Sequence, residues 1–110
     1  MSDHAAQVRP VIVVLPPEID VTNADEVHEQ LVTGLSSGEG TVVADLTATS
    51  FCDSSGVHAI MSAHQRAVAR ELVLLLAVSP GGSVRRMLQL TGADRIMRVF
   101  ATVNEAVAAA

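Results

Sequence analysis

Aromatic residues are almost absent from this 110-residue chain, which has no Trp, no Tyr and two Phe. That excludes a platform of rings for stacking the bases of single-stranded nucleic acid. Positive charge is also scarce. Lys and Arg total 7 against 12 Asp and Glu, a formal net charge of −5, the wrong sign for gripping a phosphate backbone. The one cysteine, Cys52, excludes an internal disulfide and cannot hold zinc alone. The longest apolar run, Leu72 to Val78, is far too short to span a bilayer. The opening residues Met1 to Gln7 are polar or small and have no signal-peptide pattern. A cytoplasmic protein acting on neither membrane nor nucleic acid is the expectation.

What the chain does have is aliphatic. Hydrophobic residues make up 49% of it, and a chain of this length forms one domain burying roughly two-thirds of its unfolded surface. There are no internal repeats, linkers or charge runs. Val11-Ile12-Val13-Val14-Leu15, closed by Pro16-Pro17, reads as a buried strand. Thr22 or Asn23 can cap a helix in which Val27, Leu31 and Leu35 form one apolar stripe, ended by Ser36 to Gly40. Thr41 to Leu46 reads as a second strand, and Val57, Ile60, Met61, His64 and Val68 as one face of a second helix. Leu72 to Val78 has the unbroken apolar character of a central strand. After the Ser79-Pro80-Gly81-Gly82 turn, Ser83 is the expected cap of a helix closed by Gly92. Ile96 to Phe100 reads as a last strand, followed by a capping box, Thr102 to Glu105, that opens a terminal helix. Strands alternating with helices predict an α/β domain with a largely parallel sheet.

The stretch with chemical potential is Phe51-Cys52-Asp53-Ser54-Ser55-Gly56-Val57. It places two hydroxyls where a helix starts, and unpaired N–H groups and the helix dipole favour negative charge there. The plainest account is structural: Asp53 or Ser54 caps the helix and Gly56 eases the turn. The alternative is a hydroxyl exposed for modification or attack. Serine hydrolysis is disfavoured, because the Gly-x-Ser-x-Gly elbow is absent and His58, on the same helix, projects from its side. His58 and His64 are six residues apart, not the four that would place two metal ligands on one face. Cys52 reads as a small buried hydrophobe with no resolving partner for redox chemistry. Ser79 to Ser83 lacks the Lys and spacing of a P-loop. Asp20 follows the first strand, so it should join Asp53, Ser54 and Ser55 on the edge where strand-to-helix loops gather.

Four segments together resemble the STAS domain: Pro17-Glu18-Ile19-Asp20, Val42 to Thr47, Phe51 to Val57, and Val84 to Gly92. The likeness is greatest to the small stand-alone members that act as bacterial anti-sigma factor antagonists, and it runs from about Val11 to Val107. It implies a four- to five-stranded mixed sheet, with an antiparallel edge hairpin and helices packed mainly on one side. It also implies partner switching. The unmodified protein would bind an anti-sigma factor that doubles as a GHKL-type serine kinase using ATP and magnesium, freeing a sigma factor. Phosphorylation would fall on Ser55, the hydroxyl immediately before Gly56, and a PP2C-type phosphatase would reverse it. Asp20, Asp53, Ser54, Ser55 and Gly56 would form the partner-binding surface. The protein itself would be non-catalytic, without cofactor or metal, and a monomer or weak dimer. The alternative is a non-catalytic STAS subunit of a transport or stress-signalling complex.

Overall fold

The computed structural model describes residues 9–37 and 40–110. Four strands, β1 (Val11–Val14), β3 (Thr41–Asp45), β5 (Val73–Ala77) and β6 (Arg98–Phe100), form one sheet in that order. A separate two-stranded ladder joins β2 (Glu18–Ile19) to β4 (Phe51–Cys52). Every ladder among the described residues is parallel, so each connection must carry the chain back across a face. The helices α1 (Ala24–Ser37), α2 (Ser54–Ala69) and α3 (Ser83–Thr91) do this, and α4 (Val103–Ala109) follows the last strand. The antiparallel edge hairpin implied by the resemblance is therefore not among the described residues, and residues 1–8 lie outside them.

The sheet buries both faces, unequally. Side chains alternate along a strand, so Val42 and Ala44 of β3 and Leu74 and Leu76 of β5 face the larger core. There they meet Val27, Leu31 and Leu35 of α1, Val57, Ile60, Ala63 and Ala67 of α2, and Val84 and Leu88 of α3. Val43, Leu75 and Ala77 point the other way, onto Ala106 of the short α4, with Phe100 and Val103 beside them. The helices thus pack mainly on one side. β5 sits between β3 and β6 and is covered on both faces, which explains why Leu72 to Val78 has almost no polar residue.

Several local expectations are corrected. Val68 is 60% exposed and outside the core; the buried stripe of α2 runs instead through Ala63 and Ala67, whose small side chains let the helix lie close. Ser83 does not cap α3, because Gly82 occupies that position without a side-chain bond. The Ser83 hydroxyl donates to the Ser50 carbonyl at 2.6 Å, and Ser79 likewise donates to Thr47 at 3.0 Å. Both hydroxyls thus pin the loop that precedes β4. The last strand is shorter than expected, with Ile96 exposed and Met97 buried ahead of it. Gly92 closes α3 with φ of 78°, as its position predicts. Thr102 caps α4 by accepting from the Glu105 N–H at 3.1 Å, and the Glu105 carboxylate accepts from the N–H of Ala101 rather than of Thr102.

Candidate functional site

The short β2–β4 ladder fixes the site. Ile19 pairs with Cys52, and the Asp53 N–H donates to the Ile19 carbonyl at 3.1 Å. Asp20 and Asp53, the next residue on each strand, therefore leave the ladder side by side, at the edge where α1 and α2 begin. Each aspartate organises the helix that follows it. The Asp20 carboxylate accepts from the Thr22 N–H at 2.9 Å and from the Thr22 hydroxyl, while its carbonyl accepts from the Ala24 N–H at 2.9 Å. The Thr22 hydroxyl, then its N–H, hold the Asp20 carboxyl below its ordinary range. Asn23 turns its side chain backward, accepting from the Asp20 N–H at 2.9 Å and donating to the Glu18 carbonyl at 2.8 Å. Neither Thr22 nor Asn23 is thus a side-chain cap; Asp20 starts the turn.

Asp53 is the N-cap of α2, with one carboxylate oxygen accepting from Ser55 N–H at 2.9 Å and Gly56 N–H at 3.2 Å. This bond occupies two of the N–H groups a helix start leaves unpaired and leaves Ser54 and Ser55 with no capping task. Neither serine hydroxyl makes a hydrogen bond among the described residues. Ser54 is exposed and Ser55 half-buried.

Gly56 is required by space and not by turn geometry. It lies inside α2, where an added Cβ would stand 2.5 Å from Cys52 Sγ and 2.6 Å from Ile19 Cγ2. Both neighbours are buried. The glycine lets the helix start settle directly onto the β2–β4 ladder. Cys52 is correspondingly closed to solvent, and burial, then the neighbouring Asp53 charge, push its thiol up from 9.0 to about 11. A thiol with that ionisation stays protonated near neutrality, which argues against a redox sensor.

A groove of about 660 Å³ opens beside the two serines, between α1 and α2. Ser54, Ser55, His58 and Ser62 line one wall, Asp25 and His28 the other, with Ala24 and Ala59 also lining it. His28 Nε2 lies 3.3 Å from Ser62 Oγ across the helix pair. His58 is on the helix surface as expected, but it shares this groove with Ser55. Sequence reading missed Asp25, His28 and Ser62. The ladder, which sets two distant helix starts in register, brings Asp25 and His28 beside α2, while Ser62 lies two turns beyond Ser55 on α2 itself. His64 is not part of the groove; it is half-buried, and its Nδ1 has no partner among the described residues. No helix among the described residues is long and apolar enough to cross a membrane.

Residues 3–106 match the family model of the STAS domain, and the chain belongs to that family. Solved structures similar to it include an anti-sigma factor antagonist from Mycobacterium paratuberculosis, with a TM-score of 0.78 at 22% identity, covering 89% of this chain and 82% of that one. Another is the anti-sigma factor antagonist SpoIIAA in its unphosphorylated form, with a TM-score of 0.71 at 26% identity, covering 93% and 88%. A sulfate transporter family protein from Wolinella succinogenes has a TM-score of 0.71 at 17% identity, covering 94% and 88%. The first and third of these likenesses are of fold alone.

Proposed function

We propose that this protein is a non-catalytic anti-sigma factor antagonist that works by partner switching, with Ser55 as the switch. The observation that carries the reading is the division of labour at the start of α2. Asp53 does the capping, and the Ser55 hydroxyl makes no hydrogen bond among the described residues. The likeness to SpoIIAA, whose structure is of an unphosphorylated form, supports the same assignment.

In this reading the unphosphorylated surface around Asp20, Asp53, Ser54, Ser55 and Gly56 binds a cytoplasmic anti-sigma factor that is also a GHKL-type serine kinase, displacing a sigma factor. The Ser55 oxygen attacks the γ-phosphorus of magnesium-bound ATP; ADP leaves and the hydroxyl proton is released. A PP2C-type phosphatase returns the hydroxyl by hydrolysis. Phosphoserine brings about −1.5 to −2 charges at pH 7. At a helix N-terminus that charge is locally tolerated, so the fold stays as it is. Across an interface the same charge stands beside the Asp20 and Asp53 carboxylates and must be desolvated, which costs several kcal/mol. A loss of about 2.8 kcal/mol already weakens binding roughly a hundredfold.

Incubation with a candidate anti-sigma kinase and ATP, followed by mass spectrometry, tests the site. Phosphate should appear on Ser55 and vanish in Ser55→Ala, which should still bind the partner. Phosphate on another residue would overturn the assignment. The fold of the sulfate transporter family protein favours a second reading, a STAS subunit of a transport or stress-signalling assembly. Co-purification with a membrane transporter and no anti-sigma kinase would select it.

A further inference from the structure

We propose that the groove between α1 and α2 is the binding site for the phosphoryl group on Ser55, with His28 and His58 as its imidazole ligands. The proposal rests on the reading of Ser55 as the modified residue and names what receives the phosphate. His58 follows Ser55 by three residues on α2, a spacing that sets side chains about 5–6 Å apart at Cβ, and both line the same groove. His28 lines the opposite wall from α1, and its Nε2 stands 3.3 Å from Ser62 Oγ, two helical turns beyond Ser55 on α2. Ala24 and Ala59, both buried, also line the groove, and their small side chains leave room for a tetrahedral group. The cavity, at about 660 Å³, is far larger than one phosphoryl group needs, so the phosphate can turn inward from the helix axis.

The charges around the site decide how it behaves. Among the described residues Asp25 is the one carboxylate lining the groove and no Lys or Arg lines it; Asp20 and Asp53 stand just before the starts of α1 and α2. A dianion added near three carboxylates is offset by the start of α2 and by the imidazoles of the groove, the side chains there that can donate to it. Phosphate dianion and protonated imidazoles stabilise each other.

The test uses full-length protein carrying phosphoserine at position 55 by codon reassignment, so it needs no kinase. Phosphorus NMR follows the second ionisation of the phosphate against pH. The expected midpoint lies about one pH unit below that of phosphoserine in a short peptide, a displacement in the direction that hydrogen bonds donated to the charged form produce. In the doubled variant His28→Gln, His58→Gln the midpoint should return to the peptide value, and His58→Gln alone should move it part of the way. Both side chains are at least partly solvent-facing, so the variants should fold, which circular dichroism checks. Equal midpoints in wild type and doubled variant would overturn the proposal. A kinase that never labels Ser55 would instead sink the functional reading, which this titration leaves independent.

Discussion

Substituting Gly56 by Ala should unfold the site before it changes any surface chemistry. The new methyl would sit 2.5 Å from Cys52 Sγ, 2.6 Å from Ile19 Cγ2 and 3.2 Å from Ile19 Cβ. A flexible side-chain tip can yield, but the Ile19 Cβ is fixed to β2, and Ile19 is wholly buried. Relief therefore requires the helix start to lift off the β2–β4 ladder. Overpacking of this kind costs up to about 3 kcal/mol, and replacing an in-helix glycine returns at most about 1 kcal/mol. The net loss is about 2 kcal/mol, or about a 10 °C fall in Tm for a domain of this size. Gly34→Ala is the internal control. Its Cβ would meet the Val13 Cγ2 at 3.1 Å and no backbone atom, so the helix gain should offset most of the strain and leave Tm within about 3 °C. Because the two groups touch, Cys52→Ala in the Gly56→Ala background should cost less than the sum of the single changes. Thermal melts by circular dichroism decide the matter. A Gly56→Ala protein as stable as wild type would refute the steric account of this glycine.

Other outcomes follow from the same geometry. Asp53→Ala removes a carboxylate that accepts from Ser55 and Gly56 N–H groups and should cost about 1–2 kcal/mol in urea unfolding, with Asp53→Ser recovering most of it. Glu71 holds a left-handed φ of 59° just past α2, so Glu71→Gly should raise stability by about 0.5–1 kcal/mol. The Cys52 thiol ionises at about 11 when folded and at 9.0 ordinarily, so the unfolded chain loses that proton first. Stability should decline as pH rises from 9 to 11, and Cys52→Ala should flatten that decline in urea melts. Asp20 has the opposite sign: its folded carboxyl sits below 3.8, so the stabilisation from its Thr22 bonds is present above that pH. It is lost as pH falls through the folded value, and Asp20→Asn should lack this acid-limb contribution.

The order of elements and the direction of the sheet could be read from the chain, because long aliphatic runs separated by helical periods admit little else. Leu72 to Val78 declared its central place by having no polar face. The Val27, Leu31 and Leu35 stripe is buried as its spacing demands. The four-residue pattern failed at Val68 because two alanines, weak signals in any hydrophobic pattern, were the true contact. β2 and β4 are two residues each, too short for any periodicity, yet they align the site. Ser83 looked like a cap because serine before a helix usually is one; its hydroxyl goes instead to Ser50, a partner 33 residues away. Asp20, Asp53, Ser54, Ser55 and His58 were visible locally. Asp25 and His28 were not, since they reach the groove only through α1.

The most direct test of the switch is the affinity of the anti-sigma kinase partner for two forms of the protein, unmodified and with phosphoserine at position 55, measured by titration calorimetry at pH 8. The amide NMR spectra of both forms are recorded alongside. The account predicts at least a hundredfold weaker binding of the phosphorylated form, with spectral changes confined to the starts of α1 and α2 and the groove between them. Equal affinities, or weakened binding accompanied by changes throughout the sheet, would contradict it.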